Sequence, residues 1–256
     1  MSDNEEIMSR VKHNAQHNFA AGLTNAPENH PAALHELPIS SPVFQGWKVY
    51  YEPLARGITY ADDAYYEITA AGTGTQGAGD SNSLKLTAQA TTINTGYNIR
   101  ADAATVQTAG ATKRFYLETV LKLTHASGTM AANEWFVGWT NDERAFNASG
   151  IAWDFEDGFG FGQQDAGTPV WVTNSSDSEQ SIAMSGALVT ATYRKYACYF
   201  DGTNYNLYED DVLITQAVAN PAVVADVPLG FQIDYKSGEA KTNHLQAKYA
   251  LLAMEL

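Results

Sequence analysis

Phe115-Tyr116-Leu117-Glu118-Thr119-Val120-Leu121-Lys122-Leu123 alternates strictly, with Phe115, Leu117, Thr119, Leu121 and Leu123 on one side and Tyr116, Glu118, Val120 and Lys122 on the other. A period of two places these sets on opposite faces of an extended chain and predicts a half-buried antiparallel strand. Working outward, similar runs recur at 48–51, 65–69, 83–88, 97–101, 134–140, 158–162, 170–173, 181–184, 192–200, 205–208, 212–216, 230–235 and 245–254, separated by Gly, Asn, Asp and Ser clusters. Gly72 to Gly79 is glycine-rich and reads as a flexible surface loop. Many short strands with no helix between them predict an all-β, two-sheet antiparallel sandwich.

Two joints are legible. Asp201-Gly202-Thr203-Asn204 separates the aromatic run ending at Phe200 from Tyr205-Asn206-Leu207-Tyr208, and Asp-Gly is a strong hairpin signal. Glu209-Asp210-Asp211 then turns the chain into Val212-Leu213-Ile214, which makes a three-strand meander. The final run is expected to face Leu245, Ala247, Tyr249 and Leu251 inward.

The first forty-five residues differ in character. Ser2 and Glu5 have capping-box spacing, and Ile7, Val11, Ala15, Phe19 and Leu23 recur every four residues with Met8 beside them. This predicts an amphipathic helix over about 3–22. Pro27, Pro31, Pro38 and Pro42 follow, and proline at that density predicts an extended segment. The division is therefore an arm over 1–45 and a sandwich over 46–256. The stripe Ile7, Met8, Val11, Phe19 and Leu23 is the candidate partner-binding surface, and its own sandwich, another copy or a different protein could receive it.

Composition excludes several classes. With 29 acidic against 15 basic residues, the net charge of -14 repels phosphate backbones, so nucleic acid is not an expected partner. No run reaches the roughly 18 apolar residues of a membrane span. The acidic opening Met1-Ser2-Asp3-Asn4-Glu5-Glu6 lacks the basic and apolar parts of a secretion signal, which predicts synthesis in a cytoplasm. The single cysteine, Cys198, sits in an aromatic run and reads as a buried hydrophobe.

The succession 115–123, then Trp135-Phe136-Val137-Gly138-Trp139-Thr140, Asp157-Gly158-Phe159-Gly160-Phe161, and Tyr199-Phe200-Asp201-Gly202 ahead of Tyr205 to Val212 resembles the concanavalin A-like, laminin-G-like jelly roll. Within that family the sequence is similar to jelly rolls among the structural proteins of tailed bacteriophages, where an N-terminal arm precedes the sandwich. The resemblance implies a non-enzymatic virion protein, a capsid decoration anchored by its arm to the major capsid protein or another virion protein. A homo-oligomer is the expected assembly and the virion the expected location. The alternative it implies is a carbohydrate-binding adhesion module, with a host-surface glycan as partner.

Glycan-cleaving relatives of this fold use paired carboxylates on one strand face. Asp154 and Glu156 share a face but lack the order and the third acid of the family strand, so no catalytic residue is assigned. Asp154, Glu156 and Asp157, and separately Glu209-Asp210-Asp211, carry oxygens suited to calcium without the spacing of a site, so no metal or cofactor is expected. His13 and His17 stand four apart without a third ligand. Trp139, Trp153 and Trp171, near strand ends, are the candidate stacking platforms for a sugar.

Overall fold

A computed structural model describes residues 47–52, 54, 60, 66–88, 95–101, 106–107, 113–125, 133–141, 155–164, 167–176, 178–184, 186, 191–219 and 227–255. The whole N-terminal arm, with Ile7, Met8, Val11, Phe19 and Leu23, lies outside these residues. Among the described residues there is no helix, and so none long and apolar enough to cross a membrane.

The strands are β1 (Trp47–Glu52), β2 (Tyr66–Ala71), β3 (Thr75–Ala78), β4 (Leu84–Ala88), β5 (Thr95–Ala101), β6 (Val106–Gln107), β7 (Phe115–Thr124) and β8 (Asn133–Thr140), followed by β9 (Gly158–Gln163), β10 (Val170–Ser175), β11 (Ser178–Ala183), β12 (Arg194–Phe200), β13 (Asn204–Glu209), β14 (Val212–Val218), β15 (Pro228–Ser237) and β16 (Asn243–Glu255). They form two antiparallel sheets. Sheet A runs β14-β13-β12-β7-β16-β4-β3, with β1 also on β16, and sheet B runs β11-β10-β9-β8-β15-β5-β2, with β6 on β15.

Between the sheets lies one aromatic core. Phe115 of sheet A stacks on Phe159 of sheet B at 4.8 Å, and Trp171 meets Phe161 edge-on at 5.1 Å. Trp135, Val137, Trp139, Phe231, Ile233 and Tyr235 alternate inward from β8 and β15. Large side chains buried from both sheets supply most of the hydrophobic driving force, at roughly 1.5–3 kcal/mol each.

The meander β12-β13-β14 forms as expected. Asp201 Oδ1 accepts from the amides of Thr203 and Asn204 at 2.9 and 2.7 Å, and Gly202 takes φ 99°. Asp210 and Asp211 both have positive φ, 49° and 70°, the signature of a two-residue hairpin turn whose twist matches its strands.

Three expectations are corrected. The Gly72–Gly79 loop contains β3, which pairs with β4 from Thr75↔Thr87 to Ala78↔Leu84. An edge strand needs only main-chain hydrogen bonds, so its poor side-chain pattern gave no signal. In β16 the register shifts between Ala247 and Tyr249, and this bulge reverses the alternation. Leu245 and Ala247 face the core as expected, but Ala250, Leu252 and Met254 follow them inward, while Tyr249, Leu251 and Ala253 face out. Finally, β7 is not half-buried: Tyr116 and Glu118 on its outer side are 0% and 2% exposed.

Candidate functional site

The outer face of sheet B, turned away from the core, concentrates hydrogen-bonding groups. Cross-strand register sets them in rungs. One runs Gly162 (β9), Phe136 (β8), Asp234 (β15), Asn98 (β5), Thr69 (β2). The next runs Val172 (β10), Gly160 (β9), Gly138 (β8), Gln232 (β15), Arg100 (β5), Glu67 (β2). Glu134 and Lys236 face each other on a third. Because directly opposed residues stand about 4.5–5.5 Å apart at Cβ, the first two rungs each carry an aromatic or glycine half beside a polar half.

The glycine half is a seat for aromatic rings. A Cβ on Gly160 would lie 2.7 Å from the Phe136 ring, and one on Gly138 would lie 2.5 Å from it, so Phe136 occupies the space that side chains there would fill. Phe155 packs on Phe136 at 5.2 Å, with Val172 completing the cluster. Behind it the ends of the β8–β9 connection are tied together. The Asp157 amide donates to Asn141 Oδ1 at 2.9 Å, Asp157 Oδ1 accepts from the Ser176 amide at 2.9 Å, and Asn174 Nδ2 donates to the Phe155 carbonyl at 2.6 Å.

The polar half is a network. Thr140 Oγ1 donates to Gln232 Oε1 at 2.9 Å, and Gln232 Nε2 donates to Asp234 Oδ2 at 3.2 Å. Lys236 Nζ lies 3.4 Å from both oxygens of Glu134. Arg100 donates to the Asn141 carbonyl at 2.8 Å and stands 3.6 Å from Glu67. Asn98 differs from these: it is 1% exposed, and neither Oδ1 nor Nδ2 has a hydrogen-bond partner among the described residues. An unbonded buried amide is costly, on the order of 1–3 kcal/mol. Exposure rises toward the sheet edge, where the side chains of Arg100 and Glu67 reach 18% and 43%.

The expected residues fare differently. Trp139 and Trp171 are 1% and 0% exposed and belong to the core, so neither offers a ring face to a sugar. Each alternates with other inward residues, and that parity overrides proximity to a strand end. Trp153 and Asp154 lie outside the described residues, while Glu156 is exposed in the bend before β9. The Glu209-Asp210-Asp211 oxygens are engaged by cations: Arg194 lies 3.2 Å from Glu209 and 2.6 Å from Asp210, and Lys195 pairs with Asp211. Cys198 is buried. The sequence reading missed Asn98, Arg100, Glu134, Gln232, Asp234 and Lys236. The available signal was the interleaving of Gln232, Asp234 and Lys236 with Phe231, Ile233 and Tyr235, which marks a polar outer face on a central strand.

No family model matches this sequence, and no curated protein matches it. Solved structures do. Peanut lectin is 11% identical, with 81% of this chain and 97% of that chain covered and a TM-score of 0.54. The carbohydrate-recognition domain of Emp47p is 7% identical, with 81% and 96% covered and a TM-score of 0.56. An endo-1,3-β-glucanase from Streptomyces sioyaensis is 12% identical, with 82% and 97% covered and a TM-score of 0.51. At such identities the likeness is one of fold, and that fold is the all-β, two-sheet concanavalin A/lectin-like jelly roll.

Proposed function

We propose that the protein is a carbohydrate-binding module that takes a glycan at the Glu67–Arg100 edge of the outer face of sheet B and does not cleave it. The observation that carries this reading is the accessible pair at that edge, where the Arg100 guanidinium stands 3.6 Å from the Glu67 carboxylate and both reach solvent. Vicinal sugar hydroxyls donate and accept at neighbouring positions, which a guanidinium beside a carboxylate matches. Lectins among the fold relatives support the reading at the level of fold. Binding without cleavage is favoured because Glu134 is held by Lys236 and Asp234 by Gln232, which leaves these acids committed to the face.

The test is a glycan array with the full-length chain, followed by titration of any hit against Arg100→Ala and Glu67→Ala. Loss of affinity of about tenfold or more in each variant, with the fold retained by circular dichroism, is the expected result. Binding that is unaffected by both, or no binding to any glycan by the folded protein, would refute it. The capsid-decoration role implied by the phage resemblance is a separate proposal, compatible with this one, since a glycan-binding jelly roll carried on a virion satisfies both. Its test is co-sedimentation of the full-length chain with capsids.

A further inference from the structure

The outer face of sheet A carries a tyrosine cluster that a bare sheet would leave in water. Tyr116, Tyr208, Leu251 and Ala253 are 0%, 2%, 2% and 3% exposed, although the strands that carry them have sheet B only on their other side. The same sheet shows what an uncovered outer face looks like: Leu213 and Val218 on β14, opposite Tyr208 and Asn204, are 42% and 65% exposed. Burial therefore begins at β13 and continues across β12, β7 and β16.

We propose that residues 1–46 fold back over this face and cover it with the stripe Ile7, Val11, Phe19 and Leu23. Connectivity selects this segment. The longest continuous internal stretch outside the described residues, 142–154, joins β8 to β9, both in sheet B, and the others are shorter connectors between strand ends. The segment before Trp47 enters at β1, whose Trp47 lies opposite Glu255 of β16, and β16 is the neighbour of β7. It therefore arrives two strands from Tyr116. Size agrees: a helix over 3–22 is about 30 Å long and 10–12 Å wide, and the five strands from β1 to β13 span roughly 19 Å at ~4.8 Å spacing. Chemistry agrees as well. Glu118, the acid at the centre of the face, already accepts from the hydroxyls of Tyr116 and Tyr249 and has Lys195 at 4.0 Å, so an apolar cover leaves no charge stranded.

Tyrosine nitration of the full-length chain, mapped by mass spectrometry, tests this. In the unaltered protein Tyr116, Tyr199, Tyr208 and Tyr249 should resist. In an Ile7→Asp/Phe19→Asp double variant they should react on the order of tenfold faster, while the core residues Tyr196, Tyr205 and Tyr235 stay protected. Equal protection before and after the change overturns the proposal. Should core and face react together, unfolding is the cause, and cross-linking of the unaltered chain then decides. An amine-reactive spacer joining Lys12 to Lys195 or Lys248 within one copy, established with mixed light and heavy protein, supports it. Links only between copies, or to a different protein, or none from Lys12 to sheet A, overturn it.

Discussion

Replacing Gly160 and Gly77 separately by alanine should move stability in opposite directions, and the structure gives the reason. Both glycines lie in strands with negative φ, so an added methyl is judged by space alone. At Gly77 nothing stands within 4 Å of a new Cβ. Removing glycine's conformational cost in a strand should stabilise by about 0.5–1 kcal/mol. At Gly160 the new Cβ meets the Val137 carbonyl oxygen at 2.5 Å and the Phe136 ring at 2.7 Å, where ordinary contact begins at 3.4 Å. The oxygen must retreat by about 0.9 Å (3.4 less 2.5). It belongs to the β8–β9 ladder and cannot move without weakening that pairing. Overpacking costs about 1–3 kcal/mol and a weakened ladder bond about 1 more, so Gly160→Ala should lose about 2–4 kcal/mol. At 2–4 °C per kcal/mol for a domain of this size, Tm should fall by about 4–16 °C. Urea titration and thermal melting by circular dichroism measure both variants. A Gly160→Ala protein within 0.5 kcal/mol of its parent, or a Gly77→Ala protein that is equally damaged, would refute the account of the glycine seat.

Trp171→Ala should cost about 3–5 kcal/mol in urea unfolding, because the indole fills the core against Phe115, Phe159, Phe161 and Tyr205; a cost below 1 kcal/mol would return it to the surface. Burial raises the Glu118 carboxyl above its ordinary value despite Lys195 and the two tyrosine hydroxyls, so the folded state holds this proton more tightly than the unfolded chain. Its contribution to stability is then fully present below the unfolded value near 4.5 and is lost as pH rises through the higher folded value. Glu118→Gln should gain on the parent at up to about 1.4 kcal/mol per pH unit across that window, and a difference that stays flat from pH 4 to 8 would sink the idea. The Cys198 thiol, pushed up by burial, should be inert to a disulfide reagent until guanidine unfolds the chain; native labelling at a free-thiol rate would contradict this.

What was legible in the sequence is what local chemistry dictates. The alternation in 115–123, the Asp201-Gly202 turn and the Glu209-Asp210-Asp211 turn each specify backbone conformation within a few residues, and each appears where expected. Side-chain direction was less secure. One bulged residue near Lys248 reverses the inward set of β16, and nothing in an unbroken run from Leu245 to Met254 announces it. The site was hidden for a related reason. Asn98, Asp234 and Phe136 belong to strands far apart in sequence and become neighbours only through the sheet order β8-β15-β5, so no motif spacing could join them. The tryptophans misled because strand ends were weighed above parity: Trp135, Val137 and Trp139 alternate on one side, and that side is the core.

The two outer faces divide the remaining surface by chemistry, and this makes their roles separable. A tyrosine and aliphatic face around a single satisfied acid is built to be covered. A face of amides, carboxylates and an ion pair, seated beside glycines, is built to form hydrogen bonds. Two sheets stacked about 10 Å apart stand between them. Substitutions at Tyr208 and at Arg100 fall on opposite outer faces and lie beyond the range at which side chains usually couple. Their stability effects should add within about 0.5 kcal/mol. A Tyr208→Ala variant should leave glycan affinity intact while opening sheet A to nitration, and Arg100→Ala should do the reverse. If either change instead altered both readouts, the faces would be coupled through the core, and neither could be assigned a role from its own residues alone.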